Sequence, residues 1–508
     1  MIAILLDGDR LEIDQGTRLR DVIPGRDPAC CVAIVRPGTR ESTETKSYRL
    51  TTTMGEVVVE LTEQGRQAFL SQNLAMPLAL HWHDRYAAAF GPFSTQIVPA
   101  RTTHLYENGD LVLGCGGYDP KHSYLIFSRS RHSSDFGAEA AGGVIGRVVS
   151  GRGVIDRWGT GDRITALAPV ISWADTSRSF TTRDDDLVLE DGMEIVTFLG
   201  ITASGYPGKL FSETTSRSVE HMLLALQDGH FVVGRSASTY IRDERREETD
   251  VPAAENLPRR EGSVTLRTRG RSRGSLYIYL EDLPKTSSHT TIGQVTHGLE
   301  IPRLAKEGDI LCIRLEPRQF DLVGLPLDTA IKTAASRNIE TVVDTAGPDR
   351  VVIEQTPETT LESLAAGKVS LATIALEKVI DIVLDDKNAP GSCDIFRRLT
   401  GLHLHDVGRM PFFFTFEDVY LFKPKIPLGV KIIPENTPQD IVPAATLAIT
   451  NDSRRGSGLV GVRLSDNREF GPTSEPFEGT NLIGSVLDFE KLKQMKEKEI
   501  VFVREIRE

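Results

Sequence analysis

The sequence lacks the features on which several familiar classes of metalloprotein depend. Its cysteines are few and scattered, and none of them forms a Cys-x-x-Cys pair: Cys30, Cys31, Cys115, Cys312 and Cys393. This argues against a self-contained zinc or iron-sulfur motif. Isolated cysteines of this kind are typical of reduced thiols in a cytoplasmic protein. We therefore expect no bound cofactor.

A long apolar run is missing as well. No uninterrupted stretch approaches the roughly 18 residues that a membrane span requires, and the N-terminus turns acidic at Asp7 without the basic and apolar regions of a signal peptide. The formal net charge is -12, which would repel a phosphate backbone. The glycine-rich residues 114–120 lack the Lys-Ser/Thr ending of a P-loop. Membrane insertion, nucleic-acid binding and nucleotide hydrolysis are thus not expected.

What is present is an ordinary globular composition at a length of 508 residues, with 40% hydrophobic and 26% charged residues. Such a length predicts three or four domains. Residues 1–48 read as strand, tight turn at 7–9, strand, short helix and strand. This order is similar to small β-grasp domains, a resemblance that fixes no function.

The following segment is dominated by strands. Residues 51–61 alternate polar and apolar side chains, as a half-buried strand does. Further strands are predicted at 123–127, at 143–150 around an internal glycine, and at 164–170 after a glycine turn and a short helix. This succession resembles the cyclophilins.

The same order recurs within the chain, at 262–315 with shorter loops and again at 481–505. Between the second and third copies, residues 323–330 predict the opening of a helix that runs to about residue 336, and two strands follow, an order that resembles the penicillin-binding-protein accessory (PASTA) modules. The predicted fold class is mainly β with α+β parts, with several cyclophilin-like β-barrel units and an N-terminal β-grasp-like domain. The predicted domains are 1–48 (β-grasp-like), 49–173 (first cyclophilin-like unit), 174–255 (connecting region), 256–317 (second unit), 318–425 (α+β module with a Phe-rich segment) and 426–508 (third unit).

An active cyclophilin places an arginine and an aromatic side chain on the barrel wall, where the arginine stabilises the twisted prolyl bond. The corresponding Phe-His-Arg element is missing here. Arg101 and Arg129 are the candidates that could replace it. Metal-binding candidates are Cys30 and Cys31, and also His403 and His405, which would share one face if extended. Buried cysteines and surface histidines are the alternative interpretation of these residues.

The most unusual segment spans residues 384–422 and is rich in phenylalanine and proline. These aromatics could fill a core, or they could anchor a partner protein. Polar loops rich in Gly and Pro at 450–454 and 469–481 allow the same two interpretations. The candidate partner-binding residues are Phe412, Phe413, Phe414, Arg397, Arg454 and Phe477.

These segments, together with residues 116–120 (Gly-Gly-Tyr-Asp-Pro) and 123–129, resemble the methanogenesis marker protein 3 family of methane-producing archaea along almost the whole chain. The resemblance implies a cytoplasmic protein of the ATP-dependent assembly that activates methyl-coenzyme M reductase. The ATPase and any clusters would then belong to partners, and no catalytic residue is carried over from the family.

Three hypotheses follow. The first is a non-catalytic scaffold or adaptor that binds methyl-coenzyme M reductase and the other proteins of its activation complex, including an ATPase. The second is a peptidyl-prolyl cis-trans isomerase or folding factor. The third is an iron-sulfur or metal carrier.

Overall fold

The computed structural model of the protein describes residues 1–36, 47–62, 76–169, 179–208, 210–247, 249, 251–253, 257–426, 430–454, 456–496 and 499–506. The chain forms two compact units, residues 1–319 and residues 320–508. No helix in the described part of the chain combines the length and the apolar character that a membrane crossing requires.

The first unit is built mostly from strands. In chain order they are β1 (Ile2–Leu6), β2 (Asp9–Ile13), β3 (Val32–Val35), β4 (Ser47–Thr52), β5 (Gly55–Leu61), β6 (Leu78–His83), β7 (Ala87–Phe93), β8 (His104–Tyr106), β9 (Asp110–Cys115), β10 (Ser123–Ser128), β11 (His132–Ser134), β12 (Val144–Ser150), β13 (Arg163–Pro169), β14 (Phe180–Thr182), β15 (Glu194–Val196), β16 (Leu199–Ala203), β17 (His230–Val232), β18 (Arg235–Ala237), β19 (Tyr240–Asp243), β20 (Ser263–Arg267), β21 (Leu276–Tyr279), β22 (His289–His297) and β23 (Ile310–Glu316). Its helices are α1 (Leu19–Val22), α2 (Arg152–Arg157), α3 (Glu213–Ala225) and α4 (Glu300–Leu304), with 3-10 turns at Gly116–Tyr118 and Pro120–His122.

The N-terminal sheet has the strand order β14-β3-β15-β1-β2. Asp7 and Gly8 connect β1 to β2 with φ values of 48° and 93°, the left-handed pair that a two-residue hairpin turn needs. The predicted strand, turn, strand, helix and strand are thus found in order. The structure adds β14 and β15 from residues 180–196, so the sheet extends beyond the predicted range 1–48.

The next sheet closes into a barrel with the order β10-β7-β6-β13-β4-β5-β12-β9, which we call the first barrel. Its interior holds an edge-to-face cluster in which the Phe90 and Trp158 ring centroids lie 4.7 Å apart and those of Phe127 and Trp158 lie 5.0 Å apart. The barrel runs from residue 47 to residue 169, close to the predicted first cyclophilin-like unit.

The remaining strands of the first unit form an eight-stranded sheet of order β17-β23-β16-β22-β20-β21-β19-β18. Residues 174–255, predicted as a connecting region, supply β14 and β15 of the N-terminal sheet and β16 to β19 of the eight-stranded sheet. The predicted second unit at 256–317 supplies β20 to β23. The sequence repeat at 262–315 therefore belongs to a larger sheet and not to a small barrel of its own, because β22 pairs with β16 from outside the repeat.

The second unit contains β24 (Glu340–Val343), β25 (Arg350–Thr356), β26 (Lys368–Ala375), β27 (Val379–Leu384), β28 (Val407–Phe416), β29 (Val419–Phe422), β30 (Thr446–Thr450), β31 (Val460–Arg463), β32 (Thr480–Val486) and β33 (Ile500–Glu505). Its helices are α5 (Leu327–Ser336), α6 (Thr360–Ala366) and α7 (Pro390–Thr400), with 3-10 turns at Leu376–Lys378, Phe477–Gly479 and Phe489–Gln494. The predicted helix, opened by residues 323–330 and running to about residue 336, is found as α5, and the two predicted strands after it are found as β24 and β25.

Strands β24, β26 and β25 form a small sheet, and the other strands close into the second barrel, of order β27-β32-β30-β31-β29-β28-β33. The predicted boundary at 425/426 runs through this barrel, because the Phe-rich segment supplies β28 and β29. Two closed barrels and four further sheets, of five, two, eight and three strands, confirm the predicted fold class of a mainly β protein with α+β parts.

Candidate functional site

The candidate site lies on strand β28 of the second barrel. Side chains of a strand point alternately to its two faces, and Met410 and Phe412 are buried while Arg409, Pro411 and Phe413 are exposed. Phe412 is 3% exposed and its ring centroid lies 5.5 Å from that of Phe422 in the barrel interior. The three consecutive phenylalanines therefore do not share one role, and Phe412 is a core residue.

A β-bulge interrupts this alternation after Phe412. Phe412 pairs with Phe422 and Phe414 pairs with Leu421, so Phe413 is the extra residue of the bulge. A bulge interrupts the alternation of a strand and redirects side chains locally. Phe413 is 42% exposed, as the alternation after Phe412 requires, whereas Phe414, which strict alternation would bury, is only half-buried, and Phe416 is 59% exposed.

The apolar side chains in this region of the outer face, which we call the aromatic strip, are Pro411, Phe413, Phe414, Phe416 and Ile500. The rings of Phe413 and Phe414 lie 4.7 Å apart in an edge-to-face arrangement. Ile500, the first residue of the neighbouring strand β33, lies opposite Pro411 and is 53% exposed. The Lys423 ammonium lies 5.0 Å from the Phe413 ring centroid, a cation–π contact that leaves the strip with a positive rim.

A cavity of about 220 Å³ lies at the other end of β28 and is lined by Arg409, Val407, Gln355 and His405, among others. Arg409 donates from Nη2 to the Ile353 carbonyl at 2.9 Å and to the Glu354 carboxylate at 3.0 Å. Arg409 and Phe413 project from the same outer face of one strand. An arginine and an aromatic thus stand on the outer wall of this barrel, next to a concave site of small volume.

The other predicted partner-binding residues are engaged within the unit. Arg397 donates to both oxygens of Asp386 at 2.8 and 2.6 Å and to both oxygens of Glu505 at 2.9 and 2.6 Å, and these bonds, first to Glu505 and then to Asp386, raise the pKa of its guanidinium. Arg454 is paired with Glu478, and Phe477 is half-buried at the start of a 3-10 turn. These side chains hold loops in place.

The predicted histidine pair is not on a strand, because residues 401–404 form a hydrogen-bonded turn after α7. The Nδ1 atom of His403 lies 3.2 Å from the Arg397 carbonyl, whereas Nδ1 of His405 lies 2.7 Å from the Asp321 carboxylate. The expectation that both imidazoles share one face of an extended segment is therefore wrong.

The two predicted arginines of the first barrel contact separate groups. Arg129 donates to the carbonyls of Asp84 at 2.8 Å and Trp158 at 2.7 Å, and its burial lowers the pKa of the guanidinium. Arg101 is exposed and its guanidinium lies 4.7 Å from the Tyr118 ring centroid. Arg129 bonds the connection between β6 and β7 to the end of α2, and Arg101 lies at the surface.

The neighbouring cysteines face different partners. Cys30 forms a disulfide with Cys312, with Cα atoms 5.6 Å apart. The prediction that the cysteines are reduced is therefore wrong for this pair. Cys31 contacts the Arg183 guanidinium at 3.2 Å and the Asp309 carboxylate at 3.3 Å. No sequence signal points to Cys30 and Cys312, because 282 residues separate them.

Sequence reasoning also missed a buried group of charges in the first unit, which we call the charge junction and define as Asp7, Arg49, Glu56, Glu194, His297 and Glu300. Arg49 of β4 lies 3.0 Å from Glu194 and 3.1 Å from Glu300, both buried. It thus joins the first barrel to the N-terminal sheet and to α4 of the eight-stranded sheet.

His297 belongs to the same junction and lies 3.2 Å from Glu56 and 3.6 Å from Asp7. Burial alone would lower its pKa, but the two carboxylates outweigh burial and raise the pKa to about 9. Burial raises the pKa of Glu300 to about 7 against the opposing effect of Arg49. The junction is a structural connection between three sheets, with a pH dependence of its own.

Fold and site together define a mostly β protein of two units with two closed barrels, one of which carries an exposed aromatic wall. The chain belongs to the UPF0288 family. It is 33% identical to the UPF0288 protein of Methanosarcina barkeri over 99% of this chain and 98% of the relative. It is 31% identical to that of Methanothermobacter thermautotrophicus over 99% of this chain and 97% of the relative.

A protein-family model described as "Putative peptidyl-prolyl cis-trans isomerase domain" matches residues 380–506, which coincide with the second barrel. Among solved structures, a cyclophilin from Hirschia baltica is similar over 30% of this chain and 83% of its own, with 13% identity and a TM-score of 0.20. An uncharacterized B. cereus protein is similar over 23% of this chain and 33% of its own, with 17% identity and a TM-score of 0.19.

Proposed function

We propose that this protein is a non-catalytic adaptor in the cytoplasm of methane-forming archaea and that its aromatic strip docks methyl-coenzyme M reductase within the ATP-dependent assembly that activates this enzyme. The observation that carries the docking role is the exposure of Phe413 and Phe416 on the second barrel. The choice of partner rests on the family resemblance of the sequence and agrees with relatives in Methanosarcina and Methanothermobacter.

The strip has the chemistry of a protein-binding surface. Large aromatic side chains that gather in an exposed patch supply much of the binding energy at protein interfaces. The bulge at Phe413 holds the two neighbouring rings of Phe413 and Phe414 in contact, so little side-chain entropy is lost when a partner covers them. An acidic patch on the partner would meet Lys423 at the rim.

The test is anaerobic co-purification of the tagged full-length protein from methanogen cells, with the wild type compared to Phe413→Ser/Phe416→Ser. Phe470→Ser is the matched control, because Phe470 is also 42% exposed but lies outside the strip. We expect methyl-coenzyme M reductase to co-purify with the wild type and the control, and to be lost with the double variant. With purified partners, removal of such anchors should weaken binding by about 30-fold or more, the equivalent of 2 kcal/mol.

Two outcomes would contradict the proposal in different ways. If methyl-coenzyme M reductase is missing from the wild-type eluate, the proposed partner is wrong. If the double variant retains the reductase as well as the Phe470→Ser control does, the partner stands and the strip is not its docking surface.

A second candidate function, peptidyl-prolyl isomerisation, is favoured by a specific arrangement. Arg409 and Phe413 project from the outer face of β28, and the description of the matching family model names this activity for the same barrel. The arginine would then donate to the prolyl amide region in the twisted transition state. Its bonds to Glu354 and the Ile353 carbonyl would have to open first.

A proline-peptide isomerisation assay tests this function, with an active cyclophilin as the positive control. Acceleration that is lost in Arg409→Ala and stays lost in Arg409→Lys would assign the activity to the second barrel. If the wild-type protein gives the uncatalysed rate while the cyclophilin is active, the isomerase function is excluded for this substrate.

A further inference from the structure

Four side chains of the kinds that bind metals converge where the loop at residues 27–31 meets two strands of the eight-stranded sheet. One donor atom each from Asp27, Cys30 and Cys312 lies within 4.8 Å of the other two. His230 on β17 pairs directly with Cys312 on β23. Its Nε2 atom lies 2.7 Å from Oδ2 of Asp27. A fourth donor group is thus hydrogen-bonded to one of the other three.

We propose that the reduced form of this cluster binds one thiophilic divalent cation, such as Zn²⁺ or Fe²⁺, through Cys30, Cys312 and Asp27, with His230 orienting the carboxylate. Two thiolates, one carboxylate and an imidazole are the donors that such cations favour. A cation of charge +2 would also offset two of the three negative charges of the ligands. We call these four residues the thiolate cluster.

The loop that carries two of the ligands is held in place before any cation binds. Oδ1 of Asp27 accepts a hydrogen bond from the Ala29 amide at 2.9 Å, while Oδ2 faces His230. Arg26 donates to the Cys30 carbonyl at 2.5 Å and is paired with Asp185. Outer-shell contacts of this kind fix the direction of a ligand and strengthen metal binding.

The cluster is accessible from solvent. The Asp27 side chain is 38% exposed and that of His230 is 27% exposed, whereas Cys30 is fully buried. A site with three protein ligands keeps a further coordination position. At this place on the surface, water or a donor group of another molecule can fill that position.

Cys31 is not assigned as a ligand. Its sulfur contacts Arg183 and Asp309, while Cys30, the preceding residue, is bonded to Cys312. Successive residues of an extended segment point to opposite sides. Cys31 is therefore the matched control for the two ligating cysteines.

The disulfide and the metal-bound form are two states of one cysteine pair. A dithiol reductant supplies two electrons and two protons, which cleave the S–S bond and give two thiols while the reductant becomes a disulfide. Binding of one divalent cation then releases both thiol protons. The oxidised pair has no thiolate to offer, so only the reduced protein should bind the cation at this site.

The test uses Co²⁺ as the probe on the full-length protein, prepared anaerobically with and without a dithiol reductant that is removed before titration. We expect the reduced protein to bind one equivalent of Co²⁺ and to show a thiolate-to-cobalt charge-transfer band. We expect the oxidised protein to show no such band. A reduced protein without the band would overturn the proposal, and this comparison needs no variant that might fail to fold.

Variants then assign the ligands. The band should be lost in Cys30→Ser/Cys312→Ser and kept in Cys31→Ser, and His230→Ala should weaken Co²⁺ binding by about 10- to 100-fold. A band that survives in the double variant, or that disappears in Cys31→Ser, would overturn the assignment. Phe413→Ser/Phe416→Ser should leave Co²⁺ binding unchanged, which separates this inference from the proposed docking function.

Discussion

The two closed barrels differ in what covers their outer walls. In the first barrel, strands β7, β9 and β10 are buried on both faces. Ala88, Phe90 and Phe127 belong to the interior cluster, whereas Ala89, Tyr124 and Ile126 pack under Tyr106 and Phe136 from the segment around β8 and β11. The protein covers this outer wall with its own chain.

In the second barrel, strand β28 alternates between buried and exposed positions, and its outer side chains include Phe413 and Phe416. The same architecture thus carries a covered apolar wall in one case and an open one in the other. Among the residues that the structure describes, Phe413 and Phe416 are 42% and 59% exposed, and an exposed apolar patch is a place where another molecule can bind. This difference is why we assign the docking role to the second barrel.

The largest effect should come from the interior of the second barrel. Phe412→Ala removes a buried ring in contact with Phe422, and we expect a loss of about 3–5 kcal/mol in the free energy of unfolding. Hydrogen exchange of the second-barrel strands, followed by mass spectrometry, would report this loss locally. A small effect would mean that Phe412 is not a core residue.

The cover of the first barrel provides the next test. Tyr106 is 1% exposed and its hydroxyl donates to the Gly142 carbonyl at 3.0 Å. We expect Tyr106→Ala to cost about 3 kcal/mol, and Tyr106→Phe to cost about 1 kcal/mol because only the hydrogen bond is lost. If Tyr106→Ala leaves hydrogen exchange in β10 unchanged, the covering segment does not stabilise the wall, and the contrast between the barrels is weakened.

The pH dependence of the first unit should reveal the charge junction. The folded pKa of His297, about 9, is above its ordinary value of 6.5. The stabilisation is therefore complete below about pH 6.5 and is lost as the pH rises through about 9. We expect a loss of about 1–3 kcal/mol across this window, seen as a fall in the melting temperature of the first unit. His297→Gln should flatten the curve between these pH values, and an unchanged curve would contradict the assignment.

The smallest effect on stability should come from the aromatic strip. Because Phe413 and Phe416 face solvent, Phe413→Ala and Phe416→Ala should each change the free energy of unfolding by no more than about 0.5 kcal/mol. Denaturant unfolding monitored on the second barrel would check this. A loss comparable to that of Phe412→Ala would mean that the strip is part of the fold and is not an open surface.

Much of the local structure follows from the sequence. The hairpin at Asp7 and Gly8, helix α5 and several strands of the first barrel, namely β10, β12 and β13, are predicted from turn residues and from the period of the apolar positions. These features depend on neighbours in the chain, and the structure has them where the sequence predicts them.

The candidate site could be predicted only in part. The Phe-rich segment is conspicuous in the sequence, but alternation alone would place Phe412 and Phe414 on one face and Phe413 on the other. The bulge at Phe413 breaks this alternation, and it arises from the pairing of β28 with β29. Alternation therefore predicts that Phe412 and Phe413 face opposite sides, and only the tertiary pairing decides that Phe414 is half-buried and is not a second core residue.

By itself, the sequence determined that the chain is mostly β, that it carries no P-loop and no Cys-x-x-Cys pair, and that its aromatics gather near residues 410–422. Only the tertiary structure decided which barrel wall is covered, which charges meet at Arg49, and that Cys30 meets Cys312. The physical reason is that strand pairing and burial bring together residues that are hundreds of positions apart, whereas propensity and periodicity act over a few residues.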